Sequence, residues 1–215
     1  MMITPALIGV IAHQGGGGPT VIFNAPMTSN GDDIISPAAS YSTVGTPSYS
    51  GSGMLVNAGD FQADYVTYGA NTTGAGGVNA KLGGINWAGQ KVSYTTEIAV
   101  ATGTTFSSTD TSRVFYIYDG SGKSQGFAIG AGGELIAYGV AGTSGNIGLG
   151  ISAPATGNLE LRYEAGSDQL KYILNGTTLY TASYVGRYYN GLTVGTVGLA
   201  YYPTMTFKNT LITVD

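Results

Sequence analysis

A two-residue alternation of apolar and polar side chains recurs through this 215-residue chain, and it points to antiparallel sheet. In KVSYTTEIAVA, Val92, Tyr94, Ile98 and Val100 fall on one side, and Ser93, Thr95 and Glu97 on the other. RVFYIYD sets Val114, Tyr116 and Tyr118 against Phe115 and Ile117. LELRYE turns Leu159, Leu161 and Tyr163 inward and Glu160, Arg162 and Glu164 outward. Successive side chains of a strand point to opposite faces, so this period marks half-buried strands. β-branched and aromatic residues dominate these runs, as pleated surfaces prefer.

Turn residues separate the runs. Asp119-Gly120 and Gly132-Gly133 predict a meander of Phe115–Tyr118, Gln125–Ile129 and Glu134–Tyr138. Asn175-Gly176 joins QLKYIL to TTLYTA and suits a type I′ turn, whose two central residues both need positive φ. With the turn at 165–168, residues 158–182 read as three sequential antiparallel strands. Ten to thirteen strands are expected in all, and no amphipathic helix of ten residues is found. Short strands at such spacing imply a sandwich or barrel. The predicted fold is therefore all-β: a two-sheet antiparallel jelly-roll sandwich over residues 20–215, preceded by an apolar N-terminal arm. Five of the seven prolines fall at or before position 47. Beyond one short strand around Val21–Phe23, residues 20–53 read as loops and edge strands wrapping the outside.

The C-terminal segment LELRYEAGSDQLKYILNGTTLYTAS, followed by Val197-Gly198-Leu199 and Phe207-Lys208-Asn209, resembles the end of concanavalin A-like (lectin/glucanase, laminin-G-like) jelly rolls. The resemblance covers about 60 residues and implies two stacked antiparallel sheets, one of them curved. Catalytic members of that family carry a Glu-x-Asp-x-x-Glu cluster along one strand, and calcium-binding members group Asp and Asn ligands. This chain has neither pattern, so those roles are not carried over.

Charge narrows the possible partners. Only 9% of residues are charged, against roughly 25% in ordinary domains. The surface must then be wetted by Ser, Thr, Asn, Gly and Tyr. Residues 1–80 hold no Lys or Arg and four acids, Asp32, Asp33, Asp60 and Asp64; the remainder holds eight bases and eight acids. No basic stripe is available for nucleic acid phosphates or anionic lipid.

Few chemistries remain. Cysteine is absent and His13 is the sole histidine, in a stretch read as a flexible arm. A triad needs a rigid, oriented base, so no catalytic residue is assigned, and no metal or cofactor either. Gly120-Ser121-Gly122-Lys123-Ser124 mimics a phosphate loop, but Ile117 stands where that motif needs Gly. It reads as a hairpin loop. Glu160 and Glu164 share a strand face about 13 Å apart by strand rise, and the pairs Glu97/Glu134 and Asp60/Asp64 have no fixed separation in sequence. Glycoside hydrolysis by paired carboxylates is the trailing alternative. The Asn-x-Thr triplets at Asn71 and Asn175 occur readily by chance.

Two groups carry binding potential. Residues 3–12 are almost wholly apolar and are followed by the Gly15–Gly18 spacer. Ten residues are too few to span a bilayer, which takes about 20. Three readings stand open: an arm docking through Ile3, Leu7, Ile8, Val10 and Ile11, a strand of the chain's own core, or a degenerate leader. Aromatics form the second group: Trp87 in a glycine-flanked stretch, and Tyr188 and Tyr189 beside Arg187 and Asn190. Sugar rings stack on exposed aromatics while such polar neighbours bond hydroxyls, although sandwich tyrosines commonly fill the core.

In style, the tethered arm and charge-poor composition resemble a bacteriophage virion protein. The leading expectation is thus a non-enzymatic capsid decoration, head-fibre or tail-associated module in a virion, docked on other virion proteins and homo-oligomeric. The alternative is a secreted or cell-surface carbohydrate-binding module or adhesin.

Overall fold

The computed structural model describes residues 18–29, 32, 34, 41–44, 47–56, 65–68, 91–106, 108–109, 111–119, 124–140, 145–164, 166–167, 169–183, 192–193, 196–198 and 204–215. Sixteen strands in two antiparallel sheets make up most of these. Sheet A is built from β1 (Thr20–Ala25), β3 (Ser48–Ser50), β4 (Gly53–Val56), β6 (Lys91–Val100), β11 (Thr156–Glu164), β12 (Gln169–Leu174), β13 (Thr177–Ser183) and β16 (Met205–Val214). Its order is β13-β12-β11-β6-β16-β4-β3, and β1 also pairs with β16. Sheet B contains β2 (Tyr41–Val44), β5 (Tyr65–Tyr68), β7 (Ser112–Asp119), β8 (Ser124–Ile129), β9 (Glu134–Val140), β10 (Gly145–Ser152), β14 (Leu192–Thr193) and β15 (Thr196–Gly198). Its order is β10-β9-β8-β7-β15-β5-β2, with β14 also on β7.

The all-β sandwich read from the sequence is the fold observed. β7, β8 and β9 form the expected meander, and β11, β12 and β13 pair antiparallel in sequence order. Asn175 (φ 49°) and Gly176 (φ 79°) both take the left-handed conformation that the hairpin between β12 and β13 requires. The predicted phosphate-loop mimic joins two antiparallel strands, and Ser124 opens a strand rather than a helix. The strand number exceeds expectation because several strands, such as β3, β14 and β15, have only two or three residues. Runs that short carry no readable period.

One dry core lies between the sheets. Val92, Tyr94, Ile98, Leu159, Leu161, Phe207 and Ile212 from sheet A meet Phe115, Phe127, Ile129 and Leu135 from sheet B, all buried. The rings of Tyr94 and Phe115 approach to 4.0 Å between centroids, and Phe127 meets Tyr172 edge-on at 5.4 Å. Each such pair adds to the area term that drives burial. Tyr172 donates its hydroxyl to the Tyr138 carbonyl at 3.4 Å, a polar tie between the layers. Burial pushes that phenol far above the ordinary tyrosine range.

One expectation needs correction. Strict alternation in β7 places Val114 and Phe115 on opposite faces, yet both are fully buried. A register shift against β8 between Arg113 and Phe115 accounts for this, since a bulge re-aims successive side chains. The strand expected around Val21–Phe23 is present, and Phe23, Ala25 and Met27 are completely buried. There β1 pairs with β16 and its alternate residues join the core.

Candidate functional site

The polar half of the sheet A alternation converges on one outward surface. On β6 the outward positions are Thr95 and Glu97, and on β11 they are Asn158 and Glu160, between buried Leu159 and Leu161. Register brings them together: Asn158 lies opposite Glu97, and Glu160 opposite Thr95. Glu97 and Glu160 are therefore diagonal neighbours on adjacent strands, with Cα atoms about 7–8 Å apart.

A bulge supplies the next residue. Lys208 pairs with Glu97 and Leu211 with Thr95, so Asn209 and Thr210 together oppose Thr96. Asn209 takes φ 50° at this point, a conformation that asparagine tolerates better than most side chains. Its backbone N–H reaches the Pro26 carbonyl at 3.2 Å, and its side-chain Nδ2 donates to Glu97 Oε1 at 2.8 Å. Thr210 turns inward, where its hydroxyl and that of buried Thr96 share a hydrogen bond of 2.9 Å. The bulge thus puts an amide on the outer face and leaves no orphaned hydroxyl beneath it.

The hairpin supplies the other end. Asn175 Oδ1 accepts from the Asn158 backbone N–H at 2.8 Å, and the Asn175 N–H donates to the Asn158 carbonyl at 2.9 Å. These bonds fold the β12–β13 turn against β11. Two adjoining open hollows result, of about 460 and 390 Å³, sharing Glu97, Asn158 and Asn175 as walls. The larger also touches Asn24, Thr95, Glu160 and Asn209; the smaller reaches Lys208 and Thr206.

Each carboxylate is held by one oxygen only. Glu160 Oε1 takes Arg162 Nε at 2.8 Å and Nη2 at 2.7 Å. Glu97 Oε1 takes Asn209 Nδ2. Among the described residues, Oε2 of each accepts nothing, and the Asn158 side-chain amide and Asn175 Nδ2 are likewise unengaged. A surface of anchored carboxylates and amides with open acceptor and donor positions is suited to a ligand rich in hydroxyls. Charge-assisted hydrogen bonds to the carboxylates would be the strongest of these contacts.

The structure rearranges the sequence-level acid pairs. Glu160 and Glu164 do share a face of β11, but Glu164 is tied to Lys171 at 2.8 Å. That hydrogen bond draws the Glu164 carboxyl below its ordinary range. Glu97 stands on sheet A and Glu134 on sheet B, so they do not converge. The pair that lines one hollow, Glu97 with Glu160, went unrecognised because the register of β6 against β11 is not local. Its signal was present in part: both acids occupy outward positions of clear alternations. Trp87, Arg187, Tyr188, Tyr189 and Asn190 lie outside the described residues, as do Ile3, Leu7, Ile8, Val10, Ile11, His13, Asp60 and Asp64. Among the described residues no group of three or more His, Cys, Asp or Glu is placed to hold a metal.

No protein-family model matches the sequence, and no curated protein matches it. Solved structures do. A Trypanosoma rangeli sialidase in complex with 2,3-difluoro-KDN aligns with TM-score 0.65 at 12% identity, over 99% of this chain and 34% of the sialidase. The same organism's sialidase in complex with sialic acid aligns with TM-score 0.62 at 12% identity, over 90% of this chain and 30% of that one. The receptor-binding domain of a botulinum neurotoxin C/D mosaic serotype aligns with TM-score 0.57 at 10% identity, over 90% of this chain and 47% of that domain. The chain thus spans about a third of the sialidases and under half of the toxin domain. At these identities the likeness is one of β-sandwich fold.

Proposed function

We propose that this chain is a non-catalytic carbohydrate-binding module with a concanavalin A-like sandwich, and that the outer groove of sheet A receives the glycan. The observation that carries this is the groove's wall. Glu97 and Glu160 are each fixed through one oxygen and present the other, beside the unengaged Asn158 amide. Rigid strands hold these groups, so little ordering is lost on binding. A sialidase solved with sialic acid and a toxin's receptor-binding domain share the fold, which favours a recognition role.

A second reading rests on one specific feature. Glu97 and Glu160 line one hollow from adjacent strands, and glycosidases work with a pair of carboxyls flanking the scissile bond. Here, however, the two carboxylates are held toward different partners, Glu97 by Asn209 on β16 and Glu160 by Arg162 on β11. Glu160 meets a guanidinium at 2.7 Å in an open groove. Binding without hydrolysis is the better supported chemistry. Attachment to a virion through residues 1–19 draws no support from these comparisons, and the binding reading does not require it.

A glycan array with the full chain tests the proposal. At least one neutral or acidic glycan class is expected to bind, and Asn158→Ala is expected to weaken it about 10-fold, as for one lost polar contact. Absence of binding to every glycan sinks the reading. Release of free sugar from a bound glycan, abolished in Glu97→Gln, would replace it with the hydrolase.

A further inference from the structure

We infer that the groove selects uncharged glycans and rejects those ending in an acidic sugar; this rests on the carbohydrate reading above. The argument comes from the charges facing the ligand. The larger hollow is walled by two carboxylates, Glu97 and Glu160, and by no base. Their open Oε2 atoms accept hydrogen bonds and donate none, so they match hydroxyls and oppose a ligand carboxylate.

The nearby cations do not reverse this. Arg162 spends Nε and Nη2 on Glu160 and also reaches Ser93 Oγ at 3.3 Å. Lys208 lies in register with Glu97 but borders the smaller hollow and not the larger, and among the described residues no ion pair joins the two. An acidic sugar in the larger hollow would thus approach the uncompensated Glu97 carboxylate and the Arg162-paired Glu160, with no unpaired base among the lining residues. Like charges brought together at an interface are a strong device against the wrong partner. The formal net charge of −4 acts in the same direction at long range.

The larger hollow also sets a minimum ligand. Asn158, Glu97, Asn209 and Asn24 come from four strands that lie side by side. At a strand spacing of about 4.8 Å the groove crosses about 14 Å. That exceeds one six-membered ring, so an oligosaccharide fits better than a monosaccharide.

The test compares glycans that differ only in a terminal sialic acid, titrated against the full chain at low and at physiological ionic strength. The desialylated member is expected to bind at least about 10-fold more tightly, with the gap narrowing as salt screens the carboxylates. Glu160→Gln removes one charge and releases the Arg162 guanidinium, so it is expected to close most of the gap by raising affinity for the sialylated member. Glu97→Gln, which leaves the Arg162 pair in place, should close it in part. Equal or tighter binding of the sialylated member by the unmodified chain overturns the inference while leaving carbohydrate binding intact. Failure of both members and all neutral oligosaccharides overturns the carbohydrate reading and the inference with it.

Discussion

On the outer face of sheet A, Glu97, Asn158 and Glu160 alternate with buried core residues and stand over an open groove. On the outer face of sheet B, the equivalent central positions are Gly126 and Ala128, and both are buried. Ala128 lies in register between Arg113 and Ile136, and Gly126 beside Tyr138. The Arg113 guanidinium sits over the Tyr138 ring at 5.4 Å, a cation–π contact spanning the strand between them. The two faces share backbone geometry and differ in what covers it. Among the described residues, small side chains beneath Arg113 and Tyr138 leave the centre of this face of β8 covered. Medium-length polar residues on sheet A leave hydrogen-bonding atoms pointing at solvent. On the proposed reading, recognition rests on side-chain length on one face, and the fold alone does not assign it.

Four substitutions probe this contrast, the first with the largest effect. If the groove depends on sheet B as a support, removing the interlayer contact should hurt both. Phe115→Ala deletes the ring stacked at 4.0 Å on Tyr94, directly beneath Thr95 in sequence. A loss of about 3–5 kcal/mol is expected, measured by denaturant unfolding. A loss below about 1 kcal/mol would mean the two sheets are held together elsewhere.

Glycines offer an intermediate comparison. Gly53 sits at φ 114° on sheet A, where an added Cβ would strike the Phe207 carbonyl. Gly148 on sheet B faces only the flexible end of Glu134. Gly53→Ala should cost more than about 1 kcal/mol, through positive φ and a rigid obstacle. Gly148→Ala should stay within about 0.5 kcal/mol. Thermal melting of both variants ranks them, and a reversed order would break the account of tight and loose packing.

The smallest effect is electrostatic. Glu164 has its carboxyl drawn down by the Lys171 hydrogen bond, so it is more acidic folded than unfolded. Its contribution to stability is then present above its ordinary value near 4.5 and lost as pH falls through the lowered folded value. Lys171→Ala should cost at most about 1 kcal/mol at neutral pH, as partly exposed pairs do, and nothing in strong acid. Unfolding at both pH values checks the sign. A cost that persists in acid would point to packing by the lysine stem instead.

Much of the architecture was legible in the sequence because it is local. The alternation in LELRYE named the buried and exposed faces of β11 correctly, and Asn175-Gly176 announced its hairpin by needing two positive φ angles. The meander of β7, β8 and β9 followed from short turns. The candidate site was legible only in fragments. Glu97 and Glu160 were both read as outward, yet they were weighed against the wrong partners, Glu134 and Glu164. Phe207-Lys208-Asn209 was noted as a family-like closing strand, without the bulge that lifts Asn209 onto the groove.

By itself, then, the sequence determined that this chain folds into sheets, which residues of its regular strands face inward, and where its Asn-Gly hairpin falls. Each follows from steric and solvation rules acting over a few residues. Only the tertiary structure decided that β6 lies between β11 and β16, since that order joins segments separated by 50 to more than 100 positions. Sheet order and register across such distances are set by the whole core at once, as one slip of register would turn every buried side chain outward. The meeting of Glu97, Asn158, Glu160 and Asn209 is a consequence of that collective choice.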